Sequence, residues 1–395
     1  MTLKIGSNNI SDVYFGNQKI KAVFCGSQLV FKKHEEIKHT LTATWRLADT
    51  NPTDKYSQYP AYEYFRGIYA DDDLIVANGS TVAMLTISLS DGSMEWGDQC
   101  SVLKISGFGS GNIECYGYAG SAQTSYLYYA DKTVVEVDGS YTINSASVQL
   151  SKTPSWCVWL NNQVLSLTNE GSSRYLYRLG NDVILERNKN SEWFVGMHGY
   201  IYVIDGEQVN RIDDSGSVEN LYTGSISGSH EFLSQNEELY SIVTEWLYNE
   251  QNEYIYQKRL RKVNIEHIGD ELENPWQSEP LTSASGLNDI SAKLIGLYNE
   301  YAYVMVYPDV SNETDKNIEV LKIDSDGKIV ARFNNILDGY PNTISSYNTL
   351  GVHLLPIPQE SLNGKFVIGK RHRTGSSSDL AFYTYVTITV DEEYI

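Results

Sequence analysis

Fifty Asp and Glu residues run through this chain of 395 residues. Three groups stand close enough to suggest a hard-cation site: Asp71, Asp72 and Asp73; Asp213 and Asp214; and Asp324 and Asp326 ahead of Gly327. Calcium takes clustered oxygen ligands, and its loop of twelve closes with a Glu. The residue at that closing position after Asp324 is Asn335. Asp beside Gly is better read as hairpin chemistry, in which the side chain supports its own turn, so no metal is expected.

The other residues with catalytic potential are dispersed. His34, His39, His198, His230, His267, His353 and His372 form no His-Glu-x-x-His pair, and no Ser sits in a Gly-x-Ser-x-Gly elbow. Cys25, Cys100, Cys115 and Cys157 share no metal-ligand or redox spacing and read as buried or idle thiols. Glycosidase chemistry needs only two carboxylates flanking a bond, and with fifty present the sequence neither excludes such a pair nor nominates one. No catalytic residue and no cofactor is assigned.

Aromatics are more informative. Thirty Tyr stand against ten Phe, so most rings carry a polar tip, which suits half-exposed strand faces and also stacking on sugars. Trp156, Trp159 and Trp193 lie in apolar first strands and are expected in the core. Trp246, Tyr248 and Tyr254 differ, because they flank the polar insertion NEQNE. These three form the candidate ligand face.

The elements that must position these residues are strands. Apolar residues seldom recur at helical intervals and Gly punctuates the chain. From Phe65 onward a coarser unit repeats: three or four apolar strands separated by turns. First strands are expected near Phe65, Glu114, Trp156, Trp193, Glu231, Lys293 and Gly351, and their spacing brackets the ~40–50 residues of a four-stranded propeller blade. Insertions between second and third strands (TNEGSS, NEQNE, PDVSNETDKN, HRTGSSS) should crowd one face, where recognition residues collect.

The ends match each other. The last unit offers only three strands before Ile395, and the alternating strand Thr40 to Leu47 stands alone ahead of the first unit. Pairing the two would remove exposed sheet edges. The reading is therefore all-β: a seven-bladed β-propeller over 40–395, closed by its N-terminal strand, with six or eight blades as alternative phasings. Residues 32–39, KKHEEIKH, read as a linker, and residues 1–31 as a small β-repeat module.

A formal charge of −20 repels nucleic-acid backbones and anionic membrane surfaces. The basic clusters at Lys32, Lys33 and His34, at Lys258, Arg259, Arg261 and Lys262, and at Lys370, Arg371, His372 and Arg373 are short and isolated. Neither nucleic acid nor membrane is an expected partner. Met1 to Gly6 lacks the basic and apolar regions of a signal peptide, so synthesis in the cytosol is expected.

The opening residues keep a ten-residue metre: IGSNNISDVY, FGNQKIKAVF, CGSQLVF. Each line starts with an apolar residue, then Gly, then Ser or Asn, and apolar side chains such as Val13, Tyr14, Phe15, Val23 and Phe24 fall on both faces of strands too short to bury them. This repeat resembles the N-terminal module of tail and other virion proteins of bacteriophages and prophages, particularly those of gut bacteria, over about the first 31 residues. The resemblance implies attachment to a particle through Ile5, Gly6, Ile10, Val13, Tyr14, Phe15, Gly16, Ile20, Val23, Phe24 and Gly26, with other virion proteins as partners and several copies per assembly. It implies residence in the virion after synthesis in a bacterial cytoplasm. The propeller is then expected to serve as an adaptor or to contact host-surface glycans. A carbohydrate-active enzyme and a bacterial protein-interaction propeller are the alternatives.

Overall fold

In a computed structural model, strands are assigned between Lys4 and Tyr394, and side chains are described for residues 40–44, 88, 170–177, 182–188, 190–194, 196, 200–213, 215–248, 256–283, 290–307, 318–334, 336, 358, 360–361, 363–368 and 387–390. Among the described residues the chain is all-β apart from one turn of 3-10 helix, Ile265–His267, running into the short α-helix Ile268–Glu271. Among the described residues, seven sheets have four strands each. Six of them are simple antiparallel meanders in chain order, beginning at Phe65–Ala70, Lys104–Phe108, Trp156–Leu160, Glu192–Val195, Ser229–Leu233 and Ile290–Tyr298. The seventh is ordered Leu354–Pro356, Lys365–Arg373, Ala381–Tyr394 and then Ile37–Leu47.

First strands of consecutive sheets approach one another: Lys104–Phe108 meets Trp156–Leu160, Glu192–Val195 meets Ser229–Leu233, and Ile290–Tyr298 meets both Ser229–Leu233 and Leu354–Pro356. Consecutive meanders that meet along their first strands make a β-propeller. The packing explains the sequence. Ile201 and Val203 join a core with Leu176, Leu185 and Ile212 on one side of the fourth sheet. Tyr202 and Ile204 join Leu233, Leu239 and Val263 on the other. A strand covered on both faces loses its polar alternation and reads as a continuous apolar run, and Ile201–Ile204 is buried at every position. Trp193 packs against the first of these cores, as expected, and donates its indole N–H to Ser191 Oγ at 2.8 Å. The side chains of Trp156 and Trp159 lie outside the described residues.

Three sequence readings need correction. The second sheet begins at Lys104–Phe108, not near Glu114; Cys115–Ser121 is its second strand. A bulge between Ile105 and Gly107 breaks the alternation there, so KISGF carries no clean period-two signal. TNEGSS is not a long loop either. Glu170 pairs with Ser173, leaving a two-residue connection in which Gly171 adopts φ +60°. The N-terminal strand also starts at Ile37, three residues before Thr40, because Ile37 and His39 continue the alternation of Leu41 and Ala43.

Compactness divides the chain into Met1–Leu41 with Val390–Ile395, and Thr42–Thr389. In the first unit each line of the metre is one hairpin: Ile5 pairs with Asn8, Phe15 with Gln18 and Cys25 with Gln28. Between the paired residues the sequence supplies Gly-Ser, Gly-Asn and Gly-Ser, the Gly-first composition suited to a two-residue hairpin.

Asp213 and Asp324 act as turn supports; the side chains of Asp71, Asp72, Asp73 and Asp214 lie outside the described residues. Asp213 Oδ1 accepts the Ser215 and Ser217 N–H groups at 2.9 and 2.8 Å. Asp324 Oδ1 accepts those of Asp326 and Lys328 at 3.0 and 2.8 Å. Both turns join third to fourth strands, and the Ser215 hydroxyl with these backbone donors holds the Asp213 carboxyl below its ordinary range. Gly216 and Gly327 close the turns at φ +82°. A Cβ at Gly327 would lie 2.5 Å from the Gln277 carbonyl oxygen, whereas one at Gly216 would meet the flexible end of Ile184 at 3.2 Å. Gly327→Ala is therefore expected to cost about 2–3 kcal/mol of stability and Gly216→Ala only about 1 kcal/mol. Denaturant melts of the two variants measure this, and equal losses would contradict the contact argument.

Candidate functional site

The second and third strands of the fifth sheet, Glu238–Tyr248 and Tyr254–Asn264, are eleven residues each and pair in continuous register from Glu238 with Asn264 to Tyr248 with Tyr254. The first strand pairs only as far out as Ile242, and beyond it the two strands run on as a projecting hairpin. Directly opposed residues share a face, so one face carries, from base to tip, Ile242 with Leu260, Thr244 with Lys258, Trp246 with Tyr256, and Tyr248 with Tyr254.

This face changes character along its length. Ile242 and Leu260 are buried in the core shared with the sixth sheet. Trp246 is 66% exposed and Tyr248 59% exposed, with the Trp246 and Tyr256 ring centroids 5.5 Å apart. The opposite face is tied down: Glu245 Oε2 accepts from Gln257 Nε2 at 3.0 Å and Arg259 Nε at 2.9 Å, while an Arg259 guanidinium N–H donates to the Ser278 carbonyl at 2.6 Å. An isolated hairpin is marginal in water. Here the Glu245–Arg259 ion pair and its hydrogen bonds on one face and the aromatic pair on the other hold it.

Between the core and the aromatic tip lies a cleft of about 340 Å³, bounded by Thr244 and Lys258 of the hairpin, by Ser227 to Ser229 and Glu231, and by Ser291, Lys293 and Tyr307 of the sixth sheet. Its first-strand wall is shaped by a bulge, since the register shifts between His230 and Phe232 and leaves Glu231 as the extra residue. Gly228 shapes another wall: it has φ +120°, and a Cβ there would lie 2.9 Å from Val243. Ser229 Oγ donates to Glu231 at 2.9 Å. Burial pushes the Glu231 carboxyl up, against the pull of Lys293 and the Ser229 hydroxyl. Beside it the His230 ring contacts the Glu192 carboxylate.

The sequence reading thus placed Trp246, Tyr248 and Tyr254 on the right strands, and the register puts them on one face. The side chain of Tyr254 lies outside the described residues, as do residues 309–317 of the sixth-sheet insertion. Tyr256, Thr244, Lys258, Glu231 and Lys293 were missed. Lys258 carried a signal, as a member of a basic cluster on a strand with alternating faces; Glu231 and Lys293 meet only through sheet packing. Of the attachment residues, Ile5, Val13, Tyr14, Phe15, Ile20, Val23 and Phe24 lie in the hairpin strands. Gly6, Ile10, Gly16 and Gly26 fall outside the described residues.

No protein-family model and no curated protein sequence matches the chain. Among solved structures it is similar to the β-propeller domain of the Trilobed protease from Pyrococcus furiosus, at 9% identity over 84% of this chain and 96% of that one, with a TM-score of 0.43. It is similar to an acylaminoacyl peptidase from Pyrococcus horikoshii at 10% identity over 81% of this chain and 50% of that one, TM-score 0.40. It is also similar to the polysaccharide lyase Uly1 at 8% identity over 85% and 91% of the two chains, TM-score 0.39. No residue role is carried over from these structures.

Two outcomes follow for the site. In a double-mutant cycle, Trp246→Ala and Tyr256→Ala should show a coupling of about 0.5–1 kcal/mol; additive losses would mean that the rings do not support each other. A carboxyl whose folded pKa is raised favours folding when protonated, and that contribution is lost as pH rises through the folded value. Glu231→Gln should therefore raise the thermal midpoint at pH 8, with the gain disappearing below about pH 4. A gain of equal size at both pH values would show that burial of the charge is not its source.

Proposed function

We propose that this chain is a component of a bacteriophage virion, attached by residues 1–31 and displaying a seven-bladed propeller that contacts host-surface glycans. The observation that carries the glycan reading is the face of the fifth-sheet hairpin, where exposed Trp246 and Tyr248 and half-buried Tyr256 lead directly into a polar cleft. Aromatic faces stack on the apolar faces of sugar rings, and nearby hydroxyls and charges satisfy the sugar hydroxyls. The attachment reading is supported by the metre of the opening residues and its match to three successive hairpins.

In this reading each four-stranded sheet is one blade, and Ile37–Leu47 closes the ring by completing the seventh. Closure without a free edge suits a displayed domain, because unpaired strand edges invite association with other chains. Weak sites on many copies give strong adhesion through effective concentration, so a single shallow face suffices.

Truncations separate the parts. Removal of residues 1–31 should leave the thermal midpoint of the propeller within a few degrees of the full chain and abolish incorporation into particles. Removal of residues 1–47 should lower that midpoint markedly, because the seventh sheet loses its fourth strand. Particles carrying Trp246→Ala with Tyr254→Ala should assemble normally and adsorb less to host cells. Normal incorporation without residues 1–31 would sink the attachment role, and unchanged adsorption would remove this face as the contact.

A further inference from the structure

We infer that the cleft between the fifth and sixth sheets takes a sugar carrying an anionic group, a carboxylate or a sulfate, with Lys258 and Lys293 as its cationic recognition pair and Trp246 as the platform for the adjoining ring. This rests on the glycan reading and narrows it to acidic glycans.

The basic cluster of the third strand supplies the first argument. Three of its four members are engaged: Arg259 pairs with Glu245 at 2.9 Å, Lys262 pairs with Glu238 at 2.8 Å, and Arg261 is buried with a guanidinium N–H donated to the Ser227 carbonyl. Lys258 lies on the face opposite Arg259 and Arg261, four residues beyond Lys262 toward the tip, and enters the cleft. Among the described residues it has no ion pair. Lys293 reaches the same cleft from the first strand of the sixth sheet, with Glu231 as the carboxylate in its field.

Charge balance supplies the second. Two ammonium groups face one carboxyl, and burial disfavours that carboxyl's ionised form. In a chain of net charge −20, a half-buried cleft with a cationic excess is a local exception to a field that on the whole repels anions. Hydroxyls of Ser229, Thr244 and Ser291 line the same space and offer the neutral donors and acceptors that a sugar needs. The volume of about 340 Å³ falls in the ~300–1,000 Å³ range of small-ligand sites.

Geometry supplies the third. Thr244 and Trp246 are two apart on one strand, as are Lys258 and Tyr256 on its partner, so each ring sits about 7 Å further out than the residue lining the cleft. That step is somewhat longer than one saccharide unit, a difference that the flexible four-carbon stem of Lys258 can span. A ring stacked on Trp246 therefore places its neighbour at Lys258.

The test uses full-length protein and four tetrasaccharides: tetragalacturonate, its methyl ester, sulfated neocarratetraose and cellotetraose. The carboxylated probe, the sulfated probe or both should bind about ten-fold more tightly than the methyl ester and cellotetraose, and the tighter of the two identifies the anion. Lys258→Gln and Lys293→Gln should each reduce that preference about ten-fold without weakening cellotetraose, and 0.5 M salt should erase most of it. Unchanged thermal midpoints would show that both variants fold. Equal binding of all four probes, lost in Trp246→Ala, would overturn the anionic selectivity and leave the glycan reading standing. An anionic preference that survives both Lys variants would overturn the assignment to this cleft. Failure of every probe to bind, even with the protein displayed in many copies on beads, would overturn the glycan reading and this inference with it.

Discussion

Burial on both faces of the middle strands is the constraint on which this molecule depends. The fourth sheet is sandwiched by its neighbours, so Tyr202 and Ile204 look one way while Ile201 and Val203 look the other. Apolar surface removed from water on both sides stabilises each sheet by tens of cal/mol per Å². No sheet could do this alone. The polar residues that remain inside must be paired: Arg261 reaches the Ser227 carbonyl, and Lys322 lies 3.7 Å above the Tyr301 ring.

The same packing leaves the ends of the strands free to vary. Sheets five and six are stitched together where the Glu279 N–H donates to the Gly327 carbonyl at 2.7 Å and the Trp276 indole donates to Ser325 at 2.7 Å. At the opposite end of the fifth sheet the hairpin outruns its first strand, and the cleft opens. The stabilised body and the projecting face are thus two consequences of one difference in strand length. Loops and projecting hairpins on a rigid scaffold are where recognition side chains are tolerated, because exposing Trp246 or Tyr248 costs the core nothing.

Charge divides the molecule in a similar way. Acidic side chains are put to structural use in turns, where Asp213 and Asp324 each accept two backbone N–H groups. They also pair with most of the described arginines. What remains in the cleft is the small cationic excess of Lys258 and Lys293 against Glu231. Recognition of an acidic sugar by a strongly acidic protein is consistent with screening, since a Debye length of about 8 Å at physiological salt lets a local pair of lysines dominate over distant carboxylates.

By itself the sequence determined the local elements. Apolar runs placed the first strands at Trp156 and Trp193, the spacing of units set four strands to a sheet, and the missing strand before Ile395 pointed to the lone strand ending at Leu47. The ten-residue metre marked three hairpins because Gly followed by Ser or Asn is a local turn signal that needs no partner. Where a bulge interrupted the period, as at Ile105 and Gly107, that local signal failed and the second sheet was entered one strand late. Trp246, Tyr248 and Tyr254 were legible because cross-strand register in a hairpin follows from a short connection. The cleft was not. Glu231, Lys258 and Lys293 are separated by 27 and 35 residues and become neighbours only when one sheet packs on the next. That packing is selected by buried apolar area summed over whole sheets, which no window of the chain contains.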